Sequence, residues 1–317
     1  MLPVNPTIFF FGTPEFALPV FNALIAEKYH LVGVVTNPDE PVGRKKIFTS
    51  PPVKIFAEKH SIPVFHPEKL KRELWDNEIP SADLFVVAAY GKIIPKSVLA
   101  IPKFGTLNIH PSLLPRWRGA SPIQSAILAG DADTGVTIMQ LDERMDHGPI
   151  VAQHTAHIGD RKILYRELHD KLADVGAKLL LETIPDYISG AITPVAQDDS
   201  KATYCTPLTK DDGRIDWTRT AEEIERMVRA FNPWPGTWTF WPNSDRTNRL
   251  RIDEADLTPD EPPTHSPGLV WQKEKTLLVK TGKGSLVVKP ATLEGKKSLI
   301  GSDLLRGYPQ LVGSLLV

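Results

Sequence analysis

The sequence predicts an α/β protein: an open, mostly parallel sheet with helices between its strands, followed by a small β-barrel. Continuous apolar runs alternate with helically spaced ones up to about Ala196, the pattern of buried parallel strands joined by helices. Beyond that point the texture changes to short strand patterns separated by Pro and Gly turns, the spacing of a small barrel. A chain of 317 residues is long enough for two such cores.

The apolar run Thr7 to Phe11 reads as a buried strand, Gly12-Thr13-Pro14 as a tight turn, and Glu15 to Ala26 as a helix. Leu31 to Thr36 is a second strand, and a polar, Pro-rich, basic loop runs from Asn37 to about Ser50. A helix near Val53 to His60, a strand at Ile62 to Phe65 and a helix around Glu68 to Asp76 follow. Ala82 to Ala89, Gly105 to His110 and Gly135 to Leu141 are further buried strands, and Ser121 to Ala129 has helical spacing. Lys162 to Ser189 predicts a long helix with Leu164, Leu168, Leu172, Val175 and Leu179 on one face. The expected domains are therefore residues 1–196 and 207–317, with a polar linker at 197–206. In the second domain Thr220 and Glu223 have capping-box spacing at the start of a helix, Ala221 to Phe231. Strand patterns then cover Gly236 to Trp241, Leu250 to Ile252, Leu269 to Gln272, Thr276 to Lys280 and Ser285 to Lys289.

Composition narrows the function classes. Basic and acidic side chains number 37 and 38, so any contact with nucleic acid has to come from a local patch. The single cysteine, Cys205, excludes an internal disulfide framework and multi-cysteine metal sites. No apolar stretch approaches the ~20 residues of a membrane span, and the first apolar run reads as a strand instead of a signal peptide. A cytoplasmic protein is expected.

In an open parallel sheet, ligands bind at the carboxyl ends of the strands. The single Gly12 is not a dinucleotide fingerprint, and no phosphate-binding P-loop pattern occurs. The densest candidate is Asn108 to Gly119, which reads NIHPSLLPRWRG. Asn108 and His110 lie two apart at a strand end and share a face, while Ile109 points into the core. An amide donor beside an imidazole suits an oxyanion and a proton transfer. The strand Gly135 to Leu141 leads into a loop with Asp146, whose carboxylate is then in reach of His110 across the strand ends. Spacing alone leaves a capping aspartate and a loop-satisfied histidine open as alternatives.

At these residues the chain resembles the folate-dependent formyltransferases. The SLLPxxRG segment stands at Ser112 to Gly119, after Asn108-x-His110, and Met145-Asp146-x-Gly148 follows Gly135 to Gln140. The resemblance begins at Phe11-Gly12-Thr13-Pro14-Glu15-Phe16-Ala17 and continues through Pro51-x-Val53-Lys54 and Ala88-Ala89-Tyr90-Gly91. It returns as Arg229 to Gly236 in the second domain. It implies a Rossmann-like sheet with helices on both faces and an OB-like barrel. It also implies 10-formyltetrahydrofolate as the donor, contacted by Ser112, Leu113, Leu114 and Pro115. Asn108, His110 and Asp146 match the family's catalytic trio. Asn108 and His110 would donate to the oxyanion, and Asp146 would orient His110 and help the amine lose its proton. No metal is needed, and His154 and His157 read as structural.

Within the family, acceptors include initiator methionyl-tRNA, glycinamide ribonucleotide and nucleotide-linked amino sugars, and some members hydrolyse the formyl-folate. Two features resemble the tRNA-using branch. The loop Pro38 to Lys46 carries Arg44, Lys45 and Lys46, cations suited to a phosphate backbone. It departs from the pattern at Glu40, where many relatives carry a basic residue, and at Lys45, which fills the place of a glycine. The second feature is Phe231-Asn232-Pro233-Trp234-Pro235-Gly236, in which Trp234, with nearby Trp238, reads as a core or hinge aromatic. Arg246, Arg249, Arg251, Lys273, Lys275, Lys280, Lys289, Lys296 and Lys297 are candidates for a basic groove on the barrel. Initiator methionyl-tRNA is the expected partner, and the resemblance implies a monomer.

Overall fold

The computed structural model describes residues 5–42, 46–159, 162–242, 247–262 and 266–317. They divide into two compact units. The first holds residues 1–122, 132–158 and 168–206, and the second holds 123–131, 159–167 and 207–317. The segment 197–206, expected as a linker, thus falls within the first unit.

The predicted strands and helices of the first half appear in order, among further elements. They are β1 (Thr7–Gly12), α1 (Ala17–Ala26), β2 (His30–Val35), β3 (Glu40–Val42), β4 (Ile47–Thr49) and α2 (Pro52–Lys59). Next come β5 (Val64–Phe65), α3 (Arg72–Asn77), β6 (Leu84–Ala88), α4 (Lys96–Leu99), β7 (Thr106–His110) and β8 (Arg118–Gly119). The half closes with α5 (Pro122–Ala129), β9 (Asp133–Gln140), β10 (Ile150–His157), α6 (Tyr165–Ser189) and β11 (Tyr204–Cys205).

The main sheet has seven strands in the order β10-β9-β7-β6-β1-β2-β5. Its members from β7 to β5 are parallel, and β9 and β10 add antiparallel pairs at one edge. The chain leaves β1 toward β2 and later returns to its other side at β6, so the order reverses between β1 and β6. That reversal opens a crevice at the carboxyl ends.

Apolar side chains cover both faces. On one, the rings of Phe10 and Phe21 stack at 4.8 Å and Phe56 meets Phe21 at 5.6 Å, which seats α1 and α2. On the other, Phe9, Phe11, Phe85 and Val87 pack with Trp75 of α3 and Val98 of α4. Burying one such phenylalanine contributes roughly 1.5–3 kcal/mol.

Two sequence expectations shift. The long helix begins at Tyr165 and not at Lys162: the Leu164 N–H bonds to the Glu167 carboxylate at 3.1 Å, and residues 162–164 are not helical. The loop Asn37 to Ser50 contains the hairpin β3–β4, paired Glu40 to Thr49 and Val42 to Ile47.

The second unit contains α7 (Ala221–Phe231), β12 (Thr237–Pro242), β13 (Thr247–Ile252), β14 (Ala255–Thr258), β15 (Val270–Lys273) and β16 (Thr276–Lys280). It ends with β17 (Ser285–Val288), β18 (Pro290–Leu293), β19 (Leu299–Ile300) and α8 (Gly301–Gly307). Thr220 and Glu223 form the predicted capping box on α7. Two four-stranded antiparallel sheets are joined where β13 bends into β14 and β17 into β18. The C-terminal tail closes the ring. Phe240 and Val317 exchange backbone bonds at 2.8 and 2.9 Å, while Val270 bonds Ser314 and Gly313 at 2.9 and 2.8 Å. Trp241, Leu250, Val279, Leu286 and Val288 fill the interior, with Ile224 and Val228 of α7 packed against them. Two pieces of the first half of the sequence belong to this unit. Arg226 donates to the Leu128 carbonyl at 3.0 Å, and Arg229 donates to the Ile163 carbonyl at 3.0 Å.

Candidate active site

The register of β7 fixes which way its side chains point. Asn108 pairs with Val87 and Met139, and His110 pairs with Thr137. Asn108 and His110 therefore share the face of Phe11 and Val87, while Ile109 faces α6. There a Cβ added to Gly176 would come within 2.7 Å of Ile109. Asn108 is 9% exposed, and its side-chain amide has no hydrogen bond among the described residues. A hydrogen-bonding group with no partner at a strand end is free to meet a ligand.

His110 is 4% exposed. Its Nε2 lies 2.9 Å from the Trp117 carbonyl, and its Nδ1 lies 3.7 Å from Asp146 Oδ1. Since a carbonyl only accepts, Nε2 carries a hydrogen. Any hydrogen that His110 offers to a reaction therefore leaves from Nδ1, the atom that faces the carboxylate. The other oxygen of Asp146 accepts the Gly119 N–H at 2.8 Å. Asp146 itself stands at φ 48, Trp117 at φ 60 and Ala89, beyond β6, at φ 47. Non-glycine residues adopt this left-handed region rarely, and such residues gather at functional sites.

Two glycines are required at this point. At Gly119 a Cβ would lie 2.0 Å from the Cys205 carbonyl, and at Gly148 one would lie 1.8 Å from the Gln140 carbonyl. The second explains the glycine two residues after Asp146 in the motif.

The turn from Ser112 to Pro115 divides into a framework and a surface. Ser112 is fully buried, and its hydroxyl donates to the Arg116 carbonyl at 2.6 Å. Leu114 is 3% exposed. Thr137 Oγ1 donates to the Ser112 carbonyl at 2.7 Å and accepts the Leu114 N–H at 3.1 Å and Gln153 Nε2 at 2.9 Å. Ser112 and Leu114 thus hold the turn in shape, while Leu113 and Pro115 are half-buried and keep a surface. Residue-type reasoning missed Gln153, which lies in no motif, and gave no role to Thr137 or the Trp117 carbonyl, although Gly135 to Gln140 and Ser112 to Gly119 contain them.

At the crevice, Thr13 Oγ1 donates to the Tyr90 carbonyl at 3.1 Å and ties the loop after β1 to the loop after β6. Burial pushes the Tyr90 phenol up to about 12, so it stays neutral. Among the described residues, no group of three His, Cys, Asp or Glu side chains is arranged to hold a metal ion. No helix among the described residues is long and apolar enough to cross a membrane.

Of the expected nucleic-acid contacts, Lys46 is exposed in the turn before β4, and Arg44 and Lys45 lie outside the described residues. The basic groove on the barrel is reduced. Lys280 is buried and paired with Glu261, Lys289 with Asp256, Lys273 with Asp260, and Arg251 with Asp253. Arg249 lies over the Trp238 ring at 4.2 Å, and Lys275, Lys296 and Lys297 are exposed; Arg246 lies outside the described residues. Trp238 is buried, as a core aromatic should be, but Trp234 is 50% exposed.

Two family models match the chain: formyl transferase over residues 5–184, and the formyl transferase C-terminal domain over residues 207–309. The chain is 42% identical over 315 residues to the methionyl-tRNA formyltransferase of Bacillus pumilus (strain SAFR-032), covering 98% of this chain and 97% of that protein. It is also 42% identical over 313 residues to the methionyl-tRNA formyltransferase of Bacillus subtilis (strain 168), covering 98% and 97%. Among solved structures, an N-formyltransferase from Helicobacter canadensis in complex with folinic acid and dTDP-3-aminofucose superposes with a TM-score of 0.64. The identity is 18%, over 89% of this chain and 98% of that one, a likeness of fold.

Proposed function

The chain belongs to the formyl transferase family, and from that premise we propose that it moves the formyl group of 10-formyltetrahydrofolate onto the free amino group of initiator methionyl-tRNA. The observation that carries this reading is the imidazole of His110 facing the Asp146 carboxylate beside the unbonded amide of Asn108. The acceptor rests on relatives that are named for methionyl-tRNA and align over almost the whole chain.

The residues fit a folate formyl donor. Leu113 and Pro115 offer apolar surface to it, and Ser112 and Leu114 keep their turn in place. Asn108 donates an amide hydrogen to the formyl oxygen as negative charge develops there, and Nδ1 of His110 offers a second donor when the ring carries its second proton. The amine nitrogen bonds to the formyl carbon, and the bond from that carbon to the folate nitrogen breaks. The proton released by the amine passes by way of Asp146 to the departing folate nitrogen. No group on the protein changes its covalent state. Lys46, with Arg44 and Lys45, meets the phosphate backbone near the acceptor end of the tRNA. All of these groups come from one chain, so a monomer suffices, and both substrates are cytoplasmic molecules.

The test uses donor labelled in its formyl carbon together with charged initiator tRNA. Label recovered as formylmethionine after release from the tRNA supports the reading. Label that passes only to water or to an amino-sugar nucleotide overturns it.

A further inference from the structure

Gln197 lies in the polar stretch after α6 that reads as a linker in the sequence, yet both amide hydrogens and the carbonyl oxygen of its side chain are engaged. Nε2 donates to the Asp146 carbonyl at 2.9 Å and to the Gly148 carbonyl at 2.8 Å. Oε1 accepts Arg118 Nε at 3.0 Å. Arg118 is 2% exposed and reaches onward to Asp199 Oδ1 at 2.8 Å and the Tyr204 hydroxyl at 3.3 Å. The second Asp199 oxygen lies 3.4 Å from Nε2 of His147, whose Nδ1 meets Asp142 at 2.7 Å. The Arg118 guanidinium beside it holds the Asp199 carboxyl below the usual carboxylate range.

We propose that Gln197 is a positioning residue for Asp146. It grips the carbonyls of residues 146 and 148 and so keeps Asp146 in its left-handed backbone conformation, with one oxygen toward His110 and the other on the Gly119 N–H. Left free, a non-glycine residue leaves that conformation readily. The chemistry selects glutamine. Two carbonyls require two donors, and the buried guanidinium requires an acceptor on the same side chain. Glutamate would turn lone pairs toward the carbonyls. Gln197 touches none of the proposed reacting atoms, and its effect on turnover rests on the reading that Asp146 is catalytic.

The test compares Gln197→Met, which removes all three bonds, with Gln197→Glu, which keeps an acceptor for Arg118 and removes both donations. Both variants are expected to lower kcat by about tenfold or more, as a displaced catalytic group does. The KM for formyl-folate should stay within about twofold, because the groups that meet the substrate are untouched. In both, the Gly119 amide should exchange its hydrogen about tenfold faster or more, while the Phe10 amide in β1 is unchanged, a local and not a global loosening. Unchanged Gly119 exchange in both variants overturns the proposal, as does equal acceleration at Phe10. Asp146→Asn, assayed alongside, separates the two readings. If it turns over normally the catalytic reading falls, while faster Gly119 exchange in Gln197→Met still supports the positioning role.

Discussion

His110 presents Nδ1 to Oδ1 of Asp146 at 3.7 Å, beyond hydrogen-bond reach, while its Nε2 is held by a backbone carbonyl at 2.9 Å. The second ring proton, when present, therefore sits between the imidazole and the carboxylate. Asp146→Asn keeps the shape and the acceptor for the Gly119 N–H but removes the charge. We expect kcat to fall by about a thousandfold, roughly 4 kcal/mol of barrier, the scale on which a charge-stabilising group acts. Equilibrium titration should find formyl-folate binding unchanged. Near-normal turnover would remove Asp146 from the mechanism.

The Asn108 side chain makes no hydrogen bond among the described residues, so its loss should separate catalysis from stability. Asn108→Ala is expected to lower kcat by about 10²–10³, the cost of one oxyanion donor. Urea denaturation should change by less than about 1 kcal/mol, as for a side chain without structural bonds. A large stability loss with little kinetic effect would contradict the role given to it.

The pair Asn108 and His110 was legible because strand alternation fixes which face a residue occupies, and Ile109 facing α6 is the other half of that pattern. The left-handed conformation of Asp146 was not legible, since it depends on groups distant in sequence. Nor were β8 and β11, which pair Arg118 with Tyr204 and Gly119 with Cys205. Two-residue strands have no period, and the partners lie 86 positions apart. For the same reason 197–206 reads as a linker, although Gln197, Asp199 and Tyr204 each bond a buried arginine of the site turn. The attachment of 123–131 and 159–167 to the second unit includes the bonds of Arg226 and Arg229 to the Leu128 and Ile163 carbonyls and the Lys162–Asp256 ion pair, which no hydrophobic pattern encodes.

Far from this site, at the amino ends of β1 and β6, Asp83 ties two strands together. Its Oδ2 accepts the Thr7 hydroxyl at 2.7 Å and the Thr7 N–H at 2.9 Å, and these bonds, the hydroxyl first, hold its carboxyl below the ordinary 3.8. A carboxyl depressed in the folded state stabilises above its unfolded value, and that contribution is lost as pH falls through the folded one. Asp83→Asn should therefore cost about 1 kcal/mol at neutral pH, the scale of a partly exposed charged hydrogen bond. The difference from the parent protein should shrink as denaturation is repeated toward pH ~3. A difference independent of pH would contradict the assignment, and kcat at neutral pH should not change.

Removing the cations at Arg44, Lys45 and Lys46 together should raise the KM for tRNA and leave that for formyl-folate unchanged. Each phosphate deprived of its cation should flatten the plot of log affinity against log salt by about 0.7–0.9. An unchanged slope would mean that these side chains do not meet the backbone.

The most direct test of the central claim is a competition in one vessel. Charged initiator tRNA and a nucleotide-linked amino sugar are offered together at equal concentration with limiting 10-formyltetrahydrofolate, and the product of each is measured. The account predicts formyl on the methionyl amine and none above background on the sugar, with both lost in Asp146→Asn. Formyl found on the sugar alone would contradict it.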